Sequence, residues 1–263
     1  MATGKTVSKF VRHYVDGRDL SGSARSIGPL TWEYDEADFT TMLDGVKTAF
    51  PGQATIGPGT LNGIFDNAAA AAFHTVFSAY SGGPGVTMTP IGIRAAPAAG
   101  DPVFIGQFNL AYQAELSGPA VYANIAYGQT SQLAPHLAYT KPWGVLLHAQ
   151  AARTGANTAV GIDDLGVSSA FGGYLCYQIF SAVGSGSVTI KVQDAATNLD
   201  ASFADLTGAT SGAIAHTALP RAGIVAIGTT ATVRRYLRWQ IALVGITSVT
   251  FALAFVRSTQ PGV

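Results

Sequence analysis

Residues 188–206 read VTIKVQDAATNLDASFADL. Val188, Ile190 and Val192 alternate with other residues at the period of a strand with one buried face. The alternation stops at a polar stretch holding Asp194, Asn198 and Asp200. That stretch is an ion-binding loop, half of a carboxylate pair, or a bend between packed strands. A calcium loop of the helix–loop–helix kind needs oxygen ligands at positions 1, 3 and 5, glycine at 6 and glutamate at 12. Counted from Asp194, those positions hold Asp194, Ala196, Asn198, Leu199 and Asp205, so the first and fifth fit best. A solvated turn held by Asx hydrogen bonds is the better reading. Phe203 and Leu206 then lead into the next strand, and the second half of the chain reads as strands joined by turns.

Working outward, a composition break falls at Tyr139-Thr140-Lys141-Pro142-Trp143-Gly144. Beyond it come short apolar runs at 144–152, 172–183, 186–193, 201–206, 223–228, 231–243 and 248–257. With Gly, Ser and Asn turns between them, they predict a β-sandwich over 143–263. WQIALVGITSVTFALAFV, residues 239–256, is about as long as the shortest membrane-spanning helix. Gly245, Thr247, Ser248 and Thr250 interrupt it, and its β-branched residues favour strand. Two strands joined near VGITS are expected, with no membrane span.

Residues 1–142 predict a second β domain. Its N-terminus, MATGKTVSKFVRHY, lacks the apolar core of a signal peptide. Phe10 to Val15 run into Asp16-Gly17, a strong turn dipeptide. Leu30-Thr31-Trp32-Glu33-Tyr34 alternates with period two. Residues 36–49 fit a short helix or a bent strand, and 51–60, PGQATIGPGT, read as a loop followed by extended chain. One helix is expected near 66–80, capped by Asp66 or Asn67 and built on five alanines. Its stripe of Phe73, Val76, Phe77 and Tyr80 is apolar. Strands are expected at 86–93, 103–113 and 119–127. The chain is therefore read as mainly β with one flanking α-helix.

Motifs for chemistry are sparse. Cys176 is the single cysteine, which excludes an intrachain disulfide and a cysteine zinc site. It sits in an apolar run and reads as a small buried hydrophobe. Gly4-Lys5-Thr6 has no room upstream for the rest of a phosphate-binding loop. The five histidines, His13, His74, His136, His148 and His216, form no local metal pair, and there is no G-x-S-x-G elbow. Asp163-Asp164 lies in the loop-like GIDDLG. No catalytic activity, cofactor or metal is expected.

Charge is more informative. Hydrophobic residues make up 48% of the chain and charged residues 11%, against about 25% charged in an average soluble protein. A surface this poor in charge is expected to be covered in part by copies of the same chain. Formal net charge is zero, so no bulk field favours nucleic acid. The few charges cluster. Arg12, Arg18 and Arg25 lie in a basic N-terminal stretch with Lys5 and Lys9. Glu33, Asp35, Glu36, Asp38 and Asp44 form an acidic segment, and Arg234, Arg235, Arg238 and Arg257 a second basic one. Ordinary solvated faces explain such clusters. So do acidic and basic patches meeting between copies and fixing their register.

Tyr14-Val15-Asp16-Gly17 with Asp19-Leu20-Ser21-Gly22, Gly59 to Asp66, Pro90 to Ile93 with Gly100 to Phe104, and the C-terminal stretches VTIKVQDAATNLDASFADL and VRRYLRWQIA stand out as four further signatures. Together they resemble the tail tube (major tail) proteins of long-tailed siphophages. The resemblance implies a tail-tube-type β-sandwich or barrel carrying an outward-facing C-terminal β-sandwich. It implies a structural virion protein that stacks as rings, hexameric in this family, around a channel. DNA would touch it only in transit, and its other partners would be tape-measure and tail-end proteins. It would be made in the host cytoplasm and reside in the virion tail. The loop 35–60 would reach the next ring, and the acidic segment would face either that ring or the lumen. A head decoration or other structural virion protein, or a carbohydrate-binding β-sandwich module, is the alternative. Tyr174, Tyr177, Tyr236 and Trp239 fall on predicted strands, where core packing is the simpler role.

Overall fold

The computed structural model describes residues 8–38, 40–43, 45–46, 49–65, 84–93, 95–115, 122–129, 142–157, 159–163 and 167–259. The expected helix near 66–80 lies outside them. The protein is mainly β. The strands are β1 (Tyr14–Val15), β2 (Arg18–Asp19), β3 (Ala24–Ile27), β4 (Leu30–Asp38), β5 (Ala49–Pro58), β6 (Leu61–Ile64), β7 (Pro84–Pro90) and β8 (Pro102–Glu115). They continue with β9 (Tyr122–Gln129), β10 (Trp143–Arg153), β11 (Ile162–Asp163), β12 (Gly173–Ala195), β13 (Ala204–Thr210), β14 (Ile214–Ala215), β15 (Arg221–Ala226) and β16 (Tyr236–Arg257). Among the described residues, fourteen strands join into one open sheet, whose main path runs β13-β12-β16-β10-β8-β7-β1-β2. All its pairings are antiparallel. β4 and β5 form a separate two-stranded hairpin.

Asp16-Gly17 is the hairpin turn its sequence predicts. Both residues have positive φ, 47° and 75°, as the tight turn that matches strand twist requires. A Cβ on Gly17 would lie 2.4 Å from the Ile179 carbonyl oxygen, so this turn packs directly on β12.

β12 and β16 pair along nearly their whole length, from Gly173↔Arg257 to Ala195↔Tyr236. The expected break near VGITS is instead a bulge inside one continuous strand, and the runs 172–183 and 186–193 are likewise one strand. The register shifts at Gly184–Ser187 opposite Val244–Ile246. Gly184, Gly186 and Gly245 all have positive φ there. A Cβ on Gly186 would sit 2.0 Å from the Val244 carbonyl oxygen. Glycine lets both strands bend at one point without ending either.

The bulge divides two kinds of burial. Beyond it, Val188, Ile190 and Val192 alternate buried with half-buried neighbours, facing a core shared with Leu206, Ile214, Leu237 and Ile241. Before it, every residue of 173–179 and of 251–257 is buried. Leu175, Ile179, Phe251, Leu253 and Phe255 continue the first core. Cys176, Tyr174, Ala252, Ala254 and Val256 point the other way, into a second core with Val86, Met88, Val103 and Ile105. Continuous apolar runs are what strands covered on both faces require. A third core joins Val15, Leu20, Leu61, Phe104, Phe108, Leu110 and Ile125 in the N-terminal half.

β10 pairs with β8 at Trp143↔Phe104 and with β16 from Val145↔Phe255 onward. Hydrogen bonding therefore joins the two halves of the chain at Trp143 to Val145. No helix among the described residues is long and apolar enough to cross a membrane.

Candidate assembly surfaces

The acidic segment forms an arm. β4 and β5 pair from Leu30↔Pro58 to Asp38↔Ala49, so residues 36–38 are strand, and most of 51–60 is strand too. Proline and glycine are tolerated because a two-stranded ribbon leaves each strand an unpaired edge. Glu33, Asp35, Glu36 and Asp38 lie on β4, with Glu33, Glu36 and Asp38 exposed. Asp38 accepts the Thr40 N–H at 2.9 Å, and hydrogen bonding to Thr40 holds its carboxyl below the usual range. Asp44 lies outside the described residues. At the tip, Met42, Leu43 and Val46 are 103%, 96% and 79% exposed. Three large apolar side chains between β4 and β5 are thus left in water.

The basic N-terminal residues lie elsewhere. Arg12 donates to the Lys9 and Val11 carbonyls at 3.0 and 3.1 Å. Arg18, on β2, donates to the Asp16 carbonyl at 3.2 Å. Arg25, on β3, lies 5.1 Å over the Tyr122 ring. Among the described residues, neither Arg12 nor Arg25 has a carboxylate partner. Arg25 also borders a groove of about 250 Å³ walled by Val11, Ala24, Ile27, Leu30 and Ile91. Of the predicted bases, Arg25 lines this largely apolar groove while Arg12 and Arg18 do not; the predicted acids Glu33, Asp35, Glu36 and Asp38 stand on the arm.

The second basic cluster is not an assembly patch as a whole. Arg238 is 6% exposed. It donates from Nε to Gln193 Oε1 at 2.8 Å, from Nη1 to the Ala159 carbonyl at 3.1 Å and to Asp200, and lies 4.4 Å over Phe203. Arg257, also 6% exposed, donates to the carbonyls of Val233, Arg234 and Arg235. A guanidinium has five donors in a rigid fork, which suits it to closing loops.

The same contacts answer the question posed by residues 194–205. Asp194 is buried and accepts the Arg234 N–H at 2.7 Å. Asn198 exchanges hydrogen bonds with the backbone of Gly161 at 2.8 and 3.2 Å. Asp200 anchors Arg238, and a short 3-10 turn, Asp200–Ser202, ends the bend. Asp194, Asn198 and Asp200 thus each tie down a distant segment. No group of three or more His, Cys, Asp or Glu able to hold a metal occurs among the described residues.

Two buried polar clusters escaped sequence reasoning. Gln178, on β12, accepts the Gly17 N–H at 2.6 Å and donates to the Val86 carbonyl at 3.0 Å. Beside it Asp16 accepts the Val86 N–H at 3.0 Å through Oδ1, while its Oδ2 is buried without a partner. Desolvation pushes its carboxyl up to about 6. His13, three residues earlier, hydrogen-bonds Thr89 at 2.8 Å and is held neutral by burial, its pKa down at about 4. The second cluster centres on His148, stacked on Phe251 at 4.2 Å and edge-on to Trp239 at 4.8 Å. Nothing local marks either cluster, because the partners are 70 to 161 positions apart in the first and 103 in His148's bond to Phe251. Tyr174, Tyr177 and Cys176 are core residues, and burial pushes the Cys176 thiol far up.

No family model matches the chain, and no curated protein matches it. Among solved structures, the SPP1 Dit (gp 19.1) protein, described as a paradigm of hub adsorption apparatus in Gram-positive infecting phages, aligns at 10% identity. The alignment covers 94% of this chain and 99% of that one, with a TM-score of 0.27. Chains from the phage P2 baseplate in its activated conformation align at 7% identity with Ca (TM-score 0.33) and 6% with Sr (TM-score 0.31), each over 95% of this chain and 99% of the other. Superpositions of this quality do not define a common fold, so function rests on this chain's own residues and surfaces.

Proposed function

We propose that the chain is a structural subunit of a phage tail that assembles with copies of itself, in the tail-tube manner, as stacked rings through which DNA passes. The observation that carries this reading is the β4–β5 arm, with Met42 and Leu43 almost wholly in water. Burying three such side chains is worth roughly 5–9 kcal/mol before the costs of association are subtracted. An isolated molecule gains nothing from displaying them. The tail-protein resemblance of its sequence motifs supplies the setting.

The receptor on the next copy is the groove walled by Val11, Ala24, Ile27, Leu30 and Ile91. It is apolar where the tip is apolar, and Arg25 stands at its edge where the arm brings Glu33, Glu36 and Asp38. Complementary charge of this kind selects register more than it adds affinity. Tip-in-groove contact is head to tail, so it propagates into a ring or a filament. The acids then serve contact between copies and do not line the lumen. Tape-measure and tail-end proteins would meet the exposed ends of the stack, the site is the virion tail after synthesis in the host cytoplasm, and no catalysis is involved.

Negative-stain microscopy and sedimentation of the purified chain test this. The expected result is rings or tubes wide enough for duplex DNA, lost in Met42→Asp/Leu43→Asp. Closed rings that never stack would point to a tail-end hub instead of a tube. A chain that stays monomeric at high concentration, even with a nucleating tail tip, would overturn the reading.

A further inference from the structure

Beside the junction of β10 and β16, residues 153, 157 and 159–162 border a pocket of about 290 Å³. Its wall includes Leu147, Arg153, Asn157, Ile162, Arg238 and Trp239. We propose that this pocket binds an oxyanion, a carboxylate or phosphate carried on a group the size of one sugar ring, with Arg153 as its principal contact.

The support for Arg153 is built from the inside out. His148 is buried, and its Nδ1–H donates to the Phe251 carbonyl at 3.1 Å. That bond fixes the tautomer and leaves Nε2 as an acceptor. Nε2 accepts the Arg153 Nε–H at 2.7 Å. Burial and the neighbouring guanidinium hold the imidazole neutral, its pKa lowered to about 4, so the arrangement persists at neutral pH. Arg153 also lies 5.4 Å over the Trp239 ring. Its plane is set by the indole and its rotation by the histidine. Its Nη1 and Nη2 have no partner among the described residues, and this paired fork matches a carboxylate or phosphate edge.

The other polar groups agree in sign. Arg238 engages Gln193, Ala159 and Asp200 through Nε and Nη1, leaving Nη2. Asn157 is held by Gln240 through its backbone on both sides, at 3.0 and 2.6 Å. Its Oδ1 already accepts the Ala159 N–H at 2.9 Å, which leaves Nδ2. The groups without partners among the described residues are therefore donors. Two guanidiniums, Arg153 and Arg238, line the pocket, and among the described residues only Arg238 is paired with a carboxylate, that of Asp200. Leu147 and Ile162 supply an apolar wall for the body of the ligand. Burial of Arg238 is explained by the bend it ties, whereas Arg153 is exposed and, beyond His148 and Trp239, its Nη1 and Nη2 remain available.

Titration calorimetry of the full chain with glucuronate, glucose 6-phosphate and glucose tests the assignment. One or both anionic sugars are expected to bind saturably, more weakly as salt rises, while glucose does not; the preferred anion then tells carboxylate from phosphate. Arg153→Gln should weaken that binding more than tenfold. Arg153→Lys, which keeps the charge and loses the fork, should fall between. Because Arg153 also donates to the buried His148, the melting temperature of each variant is measured beside its affinity, and the affinity is read well below that temperature. Absence of saturable binding by either anion, equal binding of glucose, or unchanged affinity in Arg153→Gln would overturn the proposal.

Discussion

Arg257, at the end of β16, closes the loop at 233–235 with hydrogen bonds to three successive carbonyls, while Arg25, on β3, lies over Tyr122 with no carboxylate beside it among the described residues. The two halves of the chain differ in the same way throughout. In the C-terminal half, Asp194 meets Arg234, Lys191 meets Asp205 at 2.7 Å, and Asp200 meets Arg238. In the N-terminal half, acids stand on an arm, Arg25 lines a groove, and the arm ends in bare Met42 and Leu43. The difference teaches which half is complete by itself. The C-terminal half pairs its ions within the chain, and the proposed assembly assigns the exposed acids and apolar tip of the other half to contacts with neighbouring copies.

The largest expected effect breaks the self-contained half. Gly186→Val forces a side chain into the Val244 carbonyl at a φ of 136°, and should cost upward of about 4 kcal/mol. The measurement is the soluble yield and thermal midpoint; a near-normal midpoint would show that the bulge tolerates a Cβ. The next effect separates folding from assembly. Met42→Asp/Leu43→Asp should leave the monomer's stability within about 0.5 kcal/mol and weaken self-association by roughly 3–6 kcal/mol, read by sedimentation. If the melting temperature falls as far as the association does, the arm is part of the fold and the contrast fails.

A third prediction concerns the seam between the halves. Asp16 is raised from an ordinary 3.8 to about 6 by desolvation. Between those values the unfolded chain has lost the proton that the folded chain keeps, so this group's contribution to stability falls as pH rises. Above pH 6 the buried, ionised Oδ2 costs on the order of 2 kcal/mol. Asp16→Asn keeps the acceptor for the Val86 N–H and tolerates the positive φ. It should stabilise the protein at pH 8 by about that much and have no effect below about pH 4. His13 works in the opposite sense. Its folded pKa is depressed to about 4, so its contribution is present above about pH 6.5 and lost as pH falls toward 4. Thermal scans from pH 4 to 8 should therefore rise more steeply in Asp16→Asn than in the wild type. The smallest effect is electrostatic. Glu33→Lys should weaken association by about 0.2–1 kcal/mol at low salt and by nothing measurable at high salt.

The parts of the fold that were legible in the sequence rest on local signals. The alternation at Val188, Ile190 and Val192, the turn at Asp16-Gly17 and the apolar setting of Cys176 each belong to a short window. The unbroken runs YLCYQIF and TFALAFV announced strands, but their burial on two faces depends on β7 and β8 lying behind them. The bulge at Gly184, Gly186 and Gly245 was misread as a strand end, since glycine gives the same local signal for both. Arg238 was grouped with a surface patch because its partners Asp200, Gln193 and Ala159 are 38 to 79 positions away. The arm was half legible. Its acids were clear, whereas proline and glycine hid the pairing of β5.

The central claim is that the arm tip of one copy sits in the groove of another. Mixing two single variants, Met42→Cys and Ile27→Cys, tests it most directly under mild oxidation. A disulfide between the two introduced thiols can then form only between chains, and Cys176 is buried. The account predicts mixed dimers joined at those two positions, abolished by adding Leu43→Asp to the first variant. Mixed dimers no more abundant than in a control that places the second thiol at exposed Val167, by Val167→Cys in place of Ile27→Cys, would contradict it.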